Sequence, residues 1–163
     1  MKQIPLTQGQ FTLVDDADYG WLNHYKWYAH KDHSGNFYAI RQSSKKNGER
    51  FTIHMHRVIL GLERGDIRET DHQNHNTLDN RRDNLRICNH AQSQRNKKSC
   101  SNTTSRFKGV CWNKREKKWV AQICINRKRE HIGYFKDEKE AARAYNSVAK
   151  KYFGKFAYLN KIS

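Results

Sequence analysis

No stretch of this 163-residue chain approaches 18 consecutive apolar residues, so it holds no membrane-spanning helix. Met1-Lys2-Gln3-Ile4-Pro5 lacks the apolar core of a secretory signal, which predicts a cytosolic protein. The four cysteines, Cys88, Cys100, Cys111 and Cys124, form no CxxC pair, so a structural zinc site of that type is unsupported. A disulfide framework is not expected in a reducing cytosol, and the four read as small buried apolar residues. Acidic residues are scarce, 16 against 32 Lys and Arg, leaving a formal net charge of +16. Apolar residues make up only 36% and the mean hydropathy is −1.10, which points to small cores and much solvated surface. Aromatics are not scarce: 7 Phe, 4 Trp and 8 Tyr argue against disorder. A chain this short and this basic is expected to bind a polyanion, nucleic acid first.

The positive charge is unevenly placed. Residues 1–55 carry 7 basic and 5 acidic side chains, residues 56–98 carry 9 and 6, and residues 99–163 carry 16 and 5. Eight of the nine histidines lie at or before His90. The part that grips a polyanion and the histidine-rich part are therefore different stretches. This predicts a β-rich extension over 1–55, a second module over 56–98, a polar linker over 99–104 and a third module over 105–163. In the first, Phe11–Val14 reads as a strand, and Asp16 is expected to cap a short helix carrying Tyr19, Leu22 and Tyr25. Strands at 26–30, 36–41 and 51–54, with turns at Ser34-Gly35 and Asn47-Gly48, predict an antiparallel meander, followed by a helical run over 55–60 stopped by Gly61.

The middle stretch runs Thr70-Asp71-His72-Gln73-Asn74-His75-Asn76-Thr77-Leu78-Asp79-Asn80-Arg81-Arg82-Asp83-Asn84-Leu85-Arg86-Ile87-Cys88-Asn89-His90. Strands are predicted over 67–72 and 85–88, a polar loop between them and a helix over 91–98. Phosphodiester hydrolysis needs a base to activate water and a hard cation to neutralise charge on the phosphate and leaving oxygen. An Asp beside a His at a strand end supplies an oxygen ligand and a base from adjacent positions. Asp-His, then Leu-x-Asn-Arg, then Asn-Leu-Arg resembles the HNH nuclease family over roughly residues 55–98, with Met55-His56-Arg57 upstream. The resemblance implies a ββα-metal finger in which His72 is the general base, Asp71 a metal ligand and Asn84 the residue that positions the loop. Arg81, Arg82 and Arg86 would touch phosphates. The family's second ligand, Asn or His, falls here on Ser93, a weaker donor, with His90 three residues earlier as a substitute. Mg²⁺, or Mn²⁺, would be the ion, since oxygen ligands favour hard cations. His75 reads as a solvated loop residue, and His24, His30, His33 and His54 as strand or loop residues.

The segment after residue 98 predicts strands over 107–113, 119–126 and 130–135. A helix follows, capped by Asp137 with Glu140 three residues on, and ends at Gly154. Lys108-Gly109-Val110, Trp119-x-Ala121, Ile132-Gly133-x-Phe135 and Glu140-Ala141-Ala142-x-Ala144-Tyr145 resemble the plant ethylene-response-factor (APETALA-type) DNA-binding domain over residues 105–160. That family reads a major groove with one sheet face. The matching positions here are Arg106, Lys108, Trp112, Lys114, Arg115, Lys118, Gln122, Arg127, Arg129 and His131. Val110, Val120 and Ile123 would help form the other face, with Trp119 in the core. Cys111 and Cys124 stand where plant members carry Arg, and His131 where they carry Trp, so the plant target sequence does not transfer.

The fold expected is α+β: a ββα-metal finger with an N-terminal β-rich extension, plus a three-stranded antiparallel sheet packed on one helix. The combination resembles HNH homing endonucleases of phage and bacterial mobile elements. It implies a site-specific, metal-dependent endonuclease acting on double-stranded DNA in a bacterial or phage-infected cytosol, with a monomer favoured. A catalytically impaired DNA-binding protein or repressor is the alternative that Ser93 keeps open. An RNA-binding protein is a third, since aromatic sheet faces also stack bases.

Overall fold

A computed structural model describes residues 1–45, 48–98 and 104–162. The chain divides into two compact units, Met1–His90 and Ala91–Ser163.

The first unit opens with β1 (Lys2–Pro5) and β2 (Phe11–Val14), an antiparallel pair in which Lys2 faces Val14 and Pro5 faces Phe11. Sequence patterning misses β1. It is four residues long, holds a lysine and a proline, and buries only Ile4, so it carries no alternation to read. Helix α1 (Asp16–Leu22) follows; its N-cap is Asp15 rather than the expected Asp16, which lies with Asp18 in the first turn. Spacing carries this helix on to Tyr25, but it ends at Leu22; Tyr25 is exposed instead and lies against the Arg41 guanidinium. Strands β3 (Tyr28–Lys31), β4 (Phe37–Gln42) and β5 (Thr52–His54) form the expected antiparallel meander in chain order. Asn47, in the second expected turn, lies outside the described residues. Helix α2 (Met55–Ile59) leads to the hairpin of β6 (Glu69–His72) and β7 (Leu85–Cys88), in which His72 faces Leu85.

Ile4, Val14, Leu22, Trp27, Ala39, Met55, Ile59 and Leu85 close into one core. It draws on the hairpin, the meander, α2 and β7 alike. The chain therefore divides after His90, where sequence composition suggested boundaries near positions 55 and 98. A module confined to 56–98 would bury too little surface to stand alone, and the segment before it supplies the rest of its core.

The second unit contains helix α3 (His90–Asn96) from Ala91 onward. Its sheet comprises β8 (Val110–Asn113), β9 (Lys118–Ile125) and β10 (Lys128–Phe135), antiparallel with β9 in the centre. Helix α4 (Glu138–Phe153) lies on one face, and its Asp137 cap accepts from the Glu140 N–H at 2.9 Å. The expected linker lies outside the described residues over 99–103, as does Cys100. Val110, Ala121 and Ile123 face α4 with Phe107, Ala141, Tyr145 and Phe153. Val120 does not join them. It faces Cys111 on one side and Tyr134 on the other, one residue out of phase with Ala121. The cysteines also differ from expectation: Cys88 is buried, Cys111 half-buried and Cys124 exposed, because the last two lie on the sheet face away from α4.

Gly109 delays the start of β8 beyond where the apolar run suggests. Its φ is +75°, and a Cβ there would stand 2.1 Å from Tyr145 Cδ2 and 2.7 Å from the Gln122 carbonyl oxygen. Gly109→Ala combines left-handed strain with a clash against the main helix, and should cost roughly 2–5 kcal/mol. Thermal unfolding followed by the fluorescence of Trp112 and Trp119 should show the second unit melting well below its wild-type temperature.

Candidate functional site

The loop from Gln73 to Asn84 contains one apolar residue, Leu78, so side-chain hydrogen bonds must hold it. Asn74 and Asn76 each accept from the backbone N–H two residues on, at 2.8 and 3.1 Å. Asn84, 7% exposed, spans the loop: its Oδ1 accepts from Asn74 N–H at 3.0 Å and its Nδ2 donates to the Asp79 carbonyl at 2.7 Å. Asp79 is buried and takes both arms of Arg81, at 2.7 and 2.6 Å, and the Asn74 amide at 2.8 Å. The Arg81 hydrogen bonds hold the Asp79 carboxyl below its ordinary range despite burial. From the other side the loop is stitched to β2: Leu13 N–H donates to Leu78 O and Asn80 N–H to Leu13 O, both at 2.8 Å.

His72, at the end of β6, is buried, with Nε2 3.2 Å from Asn80 Oδ1. Its ring meets His56 edge-on at 5.2 Å and Tyr38 at 6.4 Å, and His54 lies 5.2 Å beyond His56. Burial pushes the His72 imidazole below its ordinary value, against an upward pull from Asn80, Asp71 and Asp79. Burial also holds His56 well below it, helped by its histidine neighbours and Arg57. Nδ1 of His56 and of His54 are both buried without a hydrogen-bond partner. The sequence pattern assigns a role to His72 alone of this cluster, although Met55-His56-Arg57 belongs to the stretch that resembles the family. His54, which reads as an ordinary strand residue, and His56 stand well upstream on β5 and α2, and no local spacing links them to His72.

Asp71, one residue earlier, points away from this cluster to Arg86 across the hairpin. The Arg86 Nε donates to Asp71 Oδ2 at 2.8 Å, and both side chains are close to nine-tenths buried. His90 Nδ1 lies 2.8 Å from Glu69 Oε1. Ser93 sits on α3 and belongs to the second unit.

A model of the HNH endonuclease family matches residues 54–95. An uncharacterized HNH endonuclease of Acanthamoeba polyphaga mimivirus is 32% identical over 155 residues, spanning 95% of this chain and 77% of that protein. The chain belongs to the HNH endonuclease family. The matched segment starts at His54 and so takes in His54, His56 and His72, together with the Asn84 loop.

HNH nucleases generally use a divalent cation, and the donor chemistry fits a hard ion in one respect. Asp71 is a carboxylate next to a buried histidine, and ions of the magnesium type need only one or two protein carboxylates because they retain most of their water. No three His, Cys, Asp or Glu side chains among the described residues converge into a protein cage. Arg86 competes with any cation for Asp71.

The arginines expected on phosphates are tied up elsewhere in this HNH chain. Arg81 pairs with Asp79, Arg82 with buried Asp18 at 2.7 Å, and Arg86 with Asp71. With 13 basic and 11 acidic side chains, residues 1–90 are nearly neutral, while residues 91–163 carry 19 and 5. On the sheet face away from α4 stand Lys118, Gln122, Arg129 and His131, with Gln122 opposite His131 and Cys124 opposite Arg129. Arg106, Lys114, Arg115 and Arg127 are exposed around its edges. Two expected contacts are placed otherwise. Trp112 pairs with Trp119 on the helix side, rings 5.1 Å apart. Lys108 Nζ donates to the carbonyls of Arg95 and Lys97 at 2.7 and 2.6 Å. Tyr134, not singled out in the sequence, joins the open face beside His131, rings 4.7 Å apart.

The buried histidines make stability depend on pH. A histidine whose folded pKa lies below its unfolded value of 6.5 stays neutral in the fold while the unfolded chain takes up a proton. Stability is therefore retained above about pH 6.5 and lost as pH falls below it, at up to about 1.4 kcal/mol per pH unit for each such group. Urea unfolding at pH 7.5 and 5.5 should show this loss, and His56→Gln should reduce it.

Proposed function

We propose that this chain is a site-specific, metal-dependent DNA endonuclease of the homing type. Its histidine-rich unit cuts, and its basic sheet reads the duplex. The observation that carries the reading is the Asp71-His72 pair, its histidine buried beside Asn80 and its loop closed by Asn84. His72 is the general base: a neutral imidazole at physiological pH accepts the proton of the attacking water. Asn84 holds the loop that frames it. Asp71, with His90, holds the cation, Mg²⁺ or Mn²⁺. That ion, when bound, neutralises charge on the scissile phosphate and leaving oxygen. These residues together form the ββα-metal finger.

The second unit supplies DNA recognition as an ethylene-response-factor-like sheet. Its open face mixes cations, amides and rings, and alternating side chains of a twisted sheet can reach base edges in a major groove. Lys118, Gln122, Arg129 and His131 are the readers, with Arg106, Lys114, Arg115 and Arg127 on phosphates. Among the described residues no helix is long and apolar enough to cross a membrane, and double-stranded DNA is the partner that fits the charge.

A second reading has a specific observation behind it. Arg86 neutralises Asp71 and Ser93 replaces a stronger ligand, which favours a DNA-binding protein that has lost cleavage. Nicking of supercoiled DNA carrying the selected binding site, with Mg²⁺ and Mn²⁺, separates the two. Cleavage is expected in the wild type, with losses of at least a hundredfold in His72→Ala and Asp71→Asn; intact DNA under every condition would leave only the binding reading.

Binding itself should be strongly salt-dependent. With about six phosphate contacts, affinity should fall roughly a thousandfold between 50 and 200 mM salt. Arg129→Ala should weaken binding in a gel-shift titration while leaving the first unit's fold unchanged.

A further inference from the structure

His72 stands at the end of a buried hydrogen-bond chain whose direction follows from donor and acceptor chemistry. The chain starts at the Leu78 carbonyl, which can only accept. Thr12 Oγ1 lies 2.8 Å from it, so the Thr12 hydroxyl donates its one proton there. Met55 Sδ, at 3.9 Å, is a far weaker acceptor. With its proton committed, the Thr12 oxygen can only accept from Asn80, 2.7 Å away, and that sets which end of the Asn80 amide faces it: the NH2. The amide oxygen is then turned to His72 and can only accept, at 3.2 Å, so the proton must sit on His72 Nε2. Thr12 and Asn80 are both fully buried, and Asn80 is held at its backbone by Leu13 O.

We propose that Thr12 and Asn80 are positioning residues that hold His72 in the Nε2–H tautomer and so make Nδ1 its basic nitrogen. The proposal rests on the nuclease reading and deepens it: the proton released by the attacking water goes to Nδ1, the water's oxygen forms the new bond to phosphorus, and the bond from phosphorus to the leaving sugar oxygen breaks, that oxygen taking a proton from solvent. It also gives the N-terminal hairpin a role in the chemistry, since Thr12 lies on β2, far upstream of His72 in the chain. The rings of His56 and Tyr38 limit rotation of the imidazole, so the amide acts on a fixed ring. A reversed amide would present NH2 to Nε2, favour the Nδ1–H tautomer and remove the base. An apolar residue at position 12 would leave Asn80 without the anchor that sets its orientation.

The test is imidazole ¹⁵N NMR on the full-length protein at pH 7.5, without DNA or metal, with His72 assigned by comparison with His72→Gln. The expected signature is a protonated Nε2 and an unprotonated Nδ1. Thr12→Val keeps the shape and deletes the hydroxyl; it should shift His72 toward the Nδ1–H form and lower the nicking kcat at least tenfold, with DNA affinity unchanged. Thr12→Ser should restore both the tautomer and most of the rate. An Nδ1–H tautomer in the wild type overturns the proposal and requires no variant to fold. So does a folded Thr12→Val protein whose tautomer matches the wild type. Because the spectrum is read without substrate, an Nε2–H wild type that fails to cut supports the relay and overturns the nuclease reading, whereas a cutting wild type with Nδ1–H overturns the relay alone.

Discussion

The buried amide of Asn80 is the constraint on which the candidate site depends. A long polar loop with a single leucine cannot be placed by apolar burial, and an open polar loop would leave His72 with no fixed surroundings. Asn80 solves both problems at once. Its backbone N–H is held by Leu13, and its side chain joins Thr12 to His72. An unsatisfied buried polar group costs about 1–3 kcal/mol, so each group in this chain stabilises the arrangement chiefly by keeping the next from being orphaned. Such a network is cooperative and tolerates one geometry. A catalytic imidazole needs that property more than it needs strong net stabilisation.

Most of the scaffold is legible in the sequence. Strands such as Phe11–Val14 and Leu85–Cys88, the meander from Tyr28 to His54 and the capped helix from Glu138 follow from local alternation, turn residues and a capping box. The Asp71-His72 pair and Asn84 are visible because their chemistry lies within one short stretch. Asn80 and His56 fall within stretches that resemble the family, Leu78-x-Asn80-Arg81 and Met55-His56-Arg57, but their contacts with His72, like the part played by Thr12, arise only when distant parts of the chain meet. Nothing local marks Thr12 as different from any other strand threonine. Parity errors have a similar origin: Val120 and Trp112 change faces once the pairing register is known, and register is a property of two strands.

Arginine shows most clearly how context decides a side chain's role. In the first unit, Arg81, Arg82 and Arg86 each find an aspartate; Arg81 and Arg82 meet theirs as a fork, one nitrogen to each oxygen, and those two carboxylates are buried beyond nine-tenths. A guanidinium and a carboxylate meet as readily as a guanidinium and a phosphate, so a basic run beside acidic residues reads equally as ion pairs or as a DNA grip. The local count of acids decides between them. Where 13 cations share 11 anions, pairing is structural; where 19 cations share 5, most have no intramolecular carboxylate available.

That division of charge bears on how a nuclease of this build would avoid indiscriminate cutting. A catalytic unit with strong positive potential would hold any duplex against its base long enough to cut. Here the unit with His72 is almost neutral, so its own attraction to phosphate is weak, and on the proposed reading residence on DNA falls to the sheet. Sequence-independent binding by the sheet falls steeply with salt, whereas contacts to base edges persist. On the proposed reading, at physiological ionic strength the unit with His72 would stay on a duplex chiefly where the sheet finds its bases. The Arg86 pair on Asp71 is compatible with the proposed activity. A carboxylate neutralised in the free protein would be held in reserve, and a cation arriving with a positioned phosphate would bring the additional charge and ligands needed to compete with Arg86 for Asp71.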